Sequence, residues 1–286
     1  VPEGHTIHAL AARLERAFSG RVVAASSPQG RFAADAARLD RQELHGARAH
    51  GKHLFVDIGP ATLHVHLGLI GSFPVRPAPG GHVPAPLPTV RLRLETDAHY
   101  ADLRGPMTCT LVDAAREREI VRTLGPDPLR RRQHPDRALQ RIANSRKGIG
   151  ELLMDQSVVA GVGNVYRCEV LHRQAIDPLT PGRDLSTDAW TALWDDLVLL
   201  MPLGATFSQI LTMPDQVEAA RRLRRSGRAR SVTESLTGER LGDHFERRFL
   251  VYKRTGLDCP RCAATVQDRA VAGRTLYWCP TCQLRH

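Results

Sequence analysis

Long apolar runs are missing from this 286-residue chain, and no uninterrupted stretch approaches the roughly 20 residues that a membrane span requires. The opening VPEGHTIHALAARLERAF is amphipathic and unlike a secretory leader. The chain therefore reads as an intracellular, cytoplasmic protein with no membrane partner. Lysine is nearly absent: only Lys52, Lys147 and Lys253 occur among 40 basic residues, so chemistry that needs a primary side-chain amine has three candidates. Cysteine is also scarce. Of the six present, Cys109 and Cys168 have no partner at metal-ligand spacing and read as buried thiols.

The basic residues that are present outnumber 30 acidic ones and leave a formal charge of +10, which favours a polyanionic partner such as nucleic acid. Arginine concentrates in RRLRRSGRAR from Arg221 to Arg230. An arginine excess also follows from a GC-rich coding sequence, so charge alone identifies no partner.

The other four cysteines, Cys259, Cys262, Cys279 and Cys282, form C-x2-C, sixteen residues, C-x2-C. Each CxxC turn can aim two thiolates at one tetrahedral ion, and the stretch between them suits a β-hairpin. This is zinc-ribbon spacing. One Zn2+ held by four thiolates has no open position and is structural, supplying the core that so short a segment lacks. Two disulfides would need a secretory context that the sequence does not announce.

Ile7, Leu10, Ala11, Leu14 and Phe18 recur at helical spacing near the start. The next hundred residues hold short β-like runs at Arg21–Ala25, Leu54–Ile58, Thr62–Leu67, Val90–Leu94 and Thr108–Val112, separated by Gly- and Pro-rich turns. An antiparallel sandwich or barrel fits them. After LGPDPL at 124–129 the periodicity turns helical near 136–144, 149–155, 162–172 and 187–200. The expected organisation is a β domain over 1–125, a helical domain over 126–215, a charged connector over 216–248 and the ribbon over 249–286, an α+β multidomain chain.

The segment GVGNVY sits in the order helix, glycine turn, helix, and can present the backbone of Gly161 and Gly163 and the amide of Asn164 to a phosphate. A tight turn that needs glycine only for sterics is the plainer alternative. His64 and His66 alternate on a strand and could share a second metal, but no third ligand is near in sequence.

PEGHT at the terminus, HGKHL around Lys52, HLGLIGS from His66, LGPDPL, GVGNVY, VYKRTGLDC and GRTLYWCPTCQ follow one another along the chain. Together they resemble the bacterial formamidopyrimidine-DNA glycosylase and endonuclease VIII family, with PEG closer to the endonuclease VIII branch. The resemblance implies a β-sandwich, a helix-two-turn-helix domain and a zinc ribbon. It also implies a monomeric base-excision enzyme that acts on damaged DNA as glycosylase and AP lyase. The nucleophile would be the amine of Pro2. An α-amino group titrates near pH 8, so a useful fraction is neutral, and a secondary amine yields an iminium that persists as an electron sink. This requires Val1 to be absent, as when a GUG start is translated literally and the mature chain begins at Pro2.

By the same resemblance Glu3 is the acid/base residue, although a glutamate here also suits a helix N-terminus. Lys52 would touch phosphate and lesion from a β-turn, Arg274 would grip phosphates from the ribbon, and Asn164, Gly161, Gly163 and Lys147 complete the DNA-facing set. Leu69, with Ile70 beside it, is the candidate wedge that fills the void of an extruded nucleotide. The chain departs from the endonuclease VIII pattern around Leu69. Arg104 matches an arginine of the formamidopyrimidine branch whose following phenylalanine is missing. An oxidised pyrimidine is the expected base and an oxidised purine the alternative within the class. A non-enzymatic zinc-ribbon DNA-binding protein would explain the charge and ribbon but leave PEG unused.

Overall fold

A computed structural model describes residues 2–131, 134–229 and 244–284, and Val1 lies outside them. The chain forms two compact units that divide between Thr123 and Leu124.

The first unit opens with helix α1 (Gly4–Phe18), whose predicted apolar stripe of Ile7, Leu10, Ala11, Leu14 and Phe18 is buried. Strands β1 (Arg21–Ser26), β2 (Gln42–His50), β3 (His53–Ile58), β4 (Ala61–His66), β5 (Val75–Pro77), β6 (Val90–Glu95), β7 (His99–Arg104) and β8 (Thr108–Val112) are all antiparallel, in the spatial order β5-β7-β6-β1-β2-β3-β4-β8. Strand β1 belongs to both layers of the resulting sandwich. Its first half, Arg21–Val23, pairs with β2, and its second half, Ala24–Ser26, pairs with β6. Helices α2 (Ala33–Leu39) and α3 (Ala114–Thr123) complete the unit. Neither β2 nor β7 shows the apolar alternation that marks β3 and β4, because β2 reads QELHGARAH and β7 reads HYADLR.

The second unit contains α4 (Pro135–Ala143), α5 (Ile149–Leu152), α6 (Asn164–Arg173), α7 (Thr187–Phe207) and α8 (Pro214–Arg225), followed by the hairpin β9 (Gln267–Val271) and β10 (Arg274–Trp278). Ser186 caps α7 by accepting from the Ala189 N–H at 3.1 Å, and Trp190, Leu193, Leu197, Leu200 and Met201 line its buried face. The stretch expected as a charged connector over 216–248 begins instead inside α8. Val217 and Ala220 of this helix are buried against the helical core, which offsets the solvated arginines around them. Residues 230–243 of that stretch lie outside the described ones. No helix among the described residues is long and apolar enough to cross a membrane.

Three histidines pack together on neighbouring strands of the first unit. His53 of β3 stacks on His64 of β4 with ring centroids 5.2 Å apart and Nδ1 to Nε2 at 2.9 Å, and meets His66 edge-on at 4.9 Å. Burial, reinforced by the mutual repulsion of the protonated rings, pushes His53 down to about 3 and His64 to about 4. In the unfolded chain both protonate near 6.5, so below that pH the unfolded state binds more protons and stability falls with falling pH. Urea unfolding at pH 7 and pH 5 should differ by about 1–2 kcal/mol from this pair after allowance for solvent screening. His53→Phe should flatten the difference. Parallel loss in variant and wild type would place the acid sensitivity elsewhere.

Candidate active site and nucleic-acid interface

In the first unit the conformation of the chain's opening is set by α1. Glu3 occupies the N-cap position in extended conformation, is 1% exposed, and makes no side-chain bond to its own helix end. A simple capping role for this carboxylate is thus not what the geometry provides. Pro2 beside it is half-buried, and burial pushes His5 down to about 3, so its ring stays neutral. Helix α1 packs against β2 and β3, and the turn joining these strands carries Lys52. His50 and His53 face each other across that turn, and Gly51 supplies its positive φ of 56°.

The loop after β4 reaches the end of β7 through a pair of backbone hydrogen bonds between Ser72 and Arg104, at 2.8 and 2.9 Å. Leu69 and Ile70 stand out from this loop at 46% and 87% exposure, and Met107, at 71%, joins them. A methyl group built on Gly68 would lie 3.1 Å from the Met107 Cβ, so the two loops are in contact. Sequence reasoning singled out Leu69, Ile70 and Arg104 in this region but not the exposed Met107. The signal lies only in its exposure, since GPM has no motif character.

In the second unit the turn before α6 is strapped by Gln156. Its Oε1 accepts from the Gly161 N–H at 2.9 Å and its Nε2 donates to the Val162 carbonyl at 2.9 Å. Gly161 has φ 90°, a conformation that requires glycine, and Gly163 is the extended N-cap of α6. The Asn164 amide donates to the Thr275 carbonyl at 2.9 Å and accepts from the Arg167 guanidinium, so it bridges α6 and the ribbon hairpin, with one of its two N–H groups committed to the protein. Arg274 is the residue next to Thr275 and is exposed at the start of β10. Asn164 and the arginine-bearing hairpin are therefore brought together. Lys147 holds an ion pair with Glu151 at 2.7 Å, which raises its pKa and with which a phosphate would have to compete.

The four ribbon sulfurs lie within 4.8 Å of one another, with Cys259 to Cys282 at 3.8 Å and Cys262 to Cys279 at 3.5 Å. A tetrahedral zinc with Zn–S bonds of about 2.3 Å sets its sulfurs about 3.8 Å apart, so the quartet fits the ion. Among the described residues no other group of His, Cys, Asp and Glu ligands gathers in this way, and the histidine trio does not form a second metal site.

Two charged residues of α6 that carried no sequence signal organise this region. Arg167 is fully buried and donates to the carbonyls of Gly150 at 3.3 Å, Thr275 at 3.3 Å and Val271 at 3.5 Å. Glu169 is also fully buried. Its carboxylate accepts from the Leu250, Val251 and Tyr252 N–H groups at 2.8–2.9 Å and from the Thr212 hydroxyl at 2.6 Å.

Comparison with known proteins agrees with this architecture. Residues 1–109 match the formamidopyrimidine-DNA glycosylase N-terminal domain, residues 124–212 its H2TH domain, and residues 256–285 the zinc finger found in FPG and IleRS. The chain is 41% identical to Endonuclease 8 1 of Mycobacterium tuberculosis, covering 99% of this chain and 100% of that one. It is 33% identical to a formamidopyrimidine-DNA glycosylase of Roseiflexus, over 95% and 91% of the two chains. Among solved structures, the MutM (Fpg) protein of Thermus thermophilus superposes with a TM-score of 0.72 at 25% identity, covering 99% and 98%. A Lactococcus lactis Fpg complexed with abasic-site DNA shares the fold, with a TM-score of 0.73 at 20% identity over 99% and 100%. The two-layer sandwich, the helical H2TH domain and the four-cysteine finger, with this identity along the whole chain, make it a member of the formamidopyrimidine-DNA glycosylase and endonuclease VIII family of DNA glycosylases and AP lyases.

Proposed function

We propose that this chain excises oxidised bases from damaged DNA and cleaves the strand at the resulting site, with Pro2 as nucleophile. The observation that carries the reading is the buried Glu3, adjacent in sequence to Pro2 at the head of α1, whose carboxylate does not cap its helix. The Pro2 nitrogen bonds to C1′ as the bond to the base breaks. Glu3 delivers a proton to the opening sugar, and the resulting iminium makes the C2′ hydrogen acidic. Its loss expels the 3′ phosphate, and a second elimination releases the 5′ phosphate. The nitrogen must be unacylated for any of this, so the mature chain would begin at Pro2.

Lys52, on its tight turn, would contact phosphate near the lesion, and Arg274 and Asn164 would hold the flanking backbone, with Gly161 and Gly163 lending N–H groups and Lys147 a weaker contact. Leu69, Ile70 and Met107 would enter the stack that the extruded nucleotide leaves, with Arg104 beside them. The PEG opening and the higher identity to Endonuclease 8 1 favour an oxidised pyrimidine as the base. Cys259, Cys262, Cys279 and Cys282 would hold one structural zinc. The enzyme would act as a cytoplasmic monomer on the nucleoid.

Borohydride trapping on abasic-site DNA tests the central claim, with intact mass first verifying a chain that starts at Pro2. Wild type should form a covalent adduct, and Pro2→Gly should lower its yield by at least about tenfold. Full trapping by Pro2→Gly would show that the secondary amine is not required, and mapping the adduct peptide would then decide between the terminal amine and Lys52, Lys147 or Lys253. No adduct from zinc-loaded wild type would leave only a DNA-binding protein. Arg274→Ala should weaken binding to every sequence alike and reduce the slope of log affinity against log salt by about 1; an unchanged slope would remove Arg274 from the phosphate contacts. Leu69→Ala with Met107→Ala should slow excision from duplex by about tenfold while leaving lyase activity on single-stranded abasic DNA intact. Equal losses on both substrates would argue against a wedge.

A further inference from the structure

Helix α6 buries several titratable side chains that the proposed chemistry does not use, and His172 is the one that reaches a metal-ligand sulfur. His172 is fully buried, and its Nε2 lies 3.3 Å from the Cys259 sulfur. Its other ring nitrogen, Nδ1, is buried without a hydrogen-bond partner among the described residues. A neutral imidazole has a single N–H, so the only productive tautomer carries it on Nε2 and points it at sulfur. Leaving Nδ1 buried and unmet is unfavourable, a cost that packing alone would avoid with an apolar ring here.

The surroundings hold the imidazole in place. Arg261, inside the first CxxC turn, donates to the carbonyls of His172 and Arg173, each at 3.2 Å, and so ties the last turn of α6 to the knuckle. Gln283 donates to the Ile176 carbonyl at 2.9 Å while accepting from the Cys279 N–H at 2.9 Å. The Cys259 N–H is itself committed to the Ala264 carbonyl at 2.8 Å. Among the described residues the nitrogen that reaches the Cys259 sulfur is His172 Nε2.

We propose that His172 donates an N–H···S hydrogen bond to the zinc-bound Cys259 thiolate, so that α6, outside the ribbon, sets how firmly the ribbon keeps its metal. Four thiolates around Zn2+ carry a formal charge of −2, and a donor at sulfur draws off part of it. The thiolate is then harder to protonate and slower to leave the ion. His172 is a positioning residue for the metal site. The inference rests on the zinc reading of the four cysteines and not on the glycosylase chemistry.

The test uses the full chain, with zinc content measured first; wild type without stoichiometric zinc would overturn the zinc reading itself. With zinc bound, release to a colorimetric chelator should be about tenfold to a hundredfold faster in His172→Phe, which keeps the ring volume without the donor. His172→Gln, which restores an N–H, should recover part of the difference. Equal release by wild type and His172→Phe at unchanged circular dichroism would overturn the proposal, as would equally fast release by both variants. Should His172→Phe not fold, the wild type decides. In 113Cd-substituted protein, the His172 Nε2 proton should show scalar coupling to cadmium through the sulfur. An Nδ1–H tautomer without that coupling would end the proposal.

Discussion

The burial of a polar helix face is the constraint on which the second unit depends. Every residue of α6 from Val165 to His172 is buried, Arg167 and Glu169 among them. Removing an ion from water costs several kcal/mol unless partners replace its hydration, and here much of the replacement comes from main chain. The guanidinium reaches carbonyls of α5 and of the ribbon hairpin, while the carboxylate gathers three consecutive N–H groups of the segment that leads into the ribbon. Neither bond set survives if the ribbon shifts by a residue. Two opposite charges thereby fix the register in which the ribbon lies along the helix, a specificity that apolar packing alone would not impose.

The same helix explains why zinc, hairpin and glycine turn act as one assembly. Asn164 and Arg167 engage the hairpin end of the ribbon, and Cys168 accepts the Tyr277 N–H at 3.4 Å midway. His172 and the knuckle residues close the far end. The salt bridge of Arg173 with Asp196, at 2.7 and 2.8 Å, then ties α6 to α7 and the apolar core. Displacement of the metal would loosen one end of a rod whose other end carries Asn164.

What could be read from the sequence had local signals. The cysteine spacing, the α1 stripe, strands β3, β4, β6 and β8, and the glycine turn before α6 each carry their pattern within a few residues. Arg167 and Glu169 do not, because their partners are carbonyls and amides some 80–110 positions away, which leave no mark on side-chain identity. The surroundings of Met107 and His53 were invisible for a related reason, since they arise from contact across loops or strands. Helix α8 was obscured differently. Its buried stripe is as narrow as Gln216, Val217 and Ala220, and the arginines that surround it dominate the local composition. The PEG and HGKHL segments were legible only as members of an ordered set, because Pro2, Glu3 and Lys52 are unremarkable one at a time.

The hairpin turn that precedes Arg274 consists of two residues, Ala272 and Gly273, with φ of 51° and 70°. Both central positions lie in the left-handed region, the arrangement that matches the twist of a two-residue hairpin but strains an alanine. Such a turn has little conformational freedom left. In the DNA-contact role proposed for it, an arginine mounted beside this turn would meet the backbone with its main-chain entropy already lost during folding, and association would have to order only the side chain. A longer, glycine-rich tip could have reached as far, but it would have bound more weakly by the entropy it still had to lose.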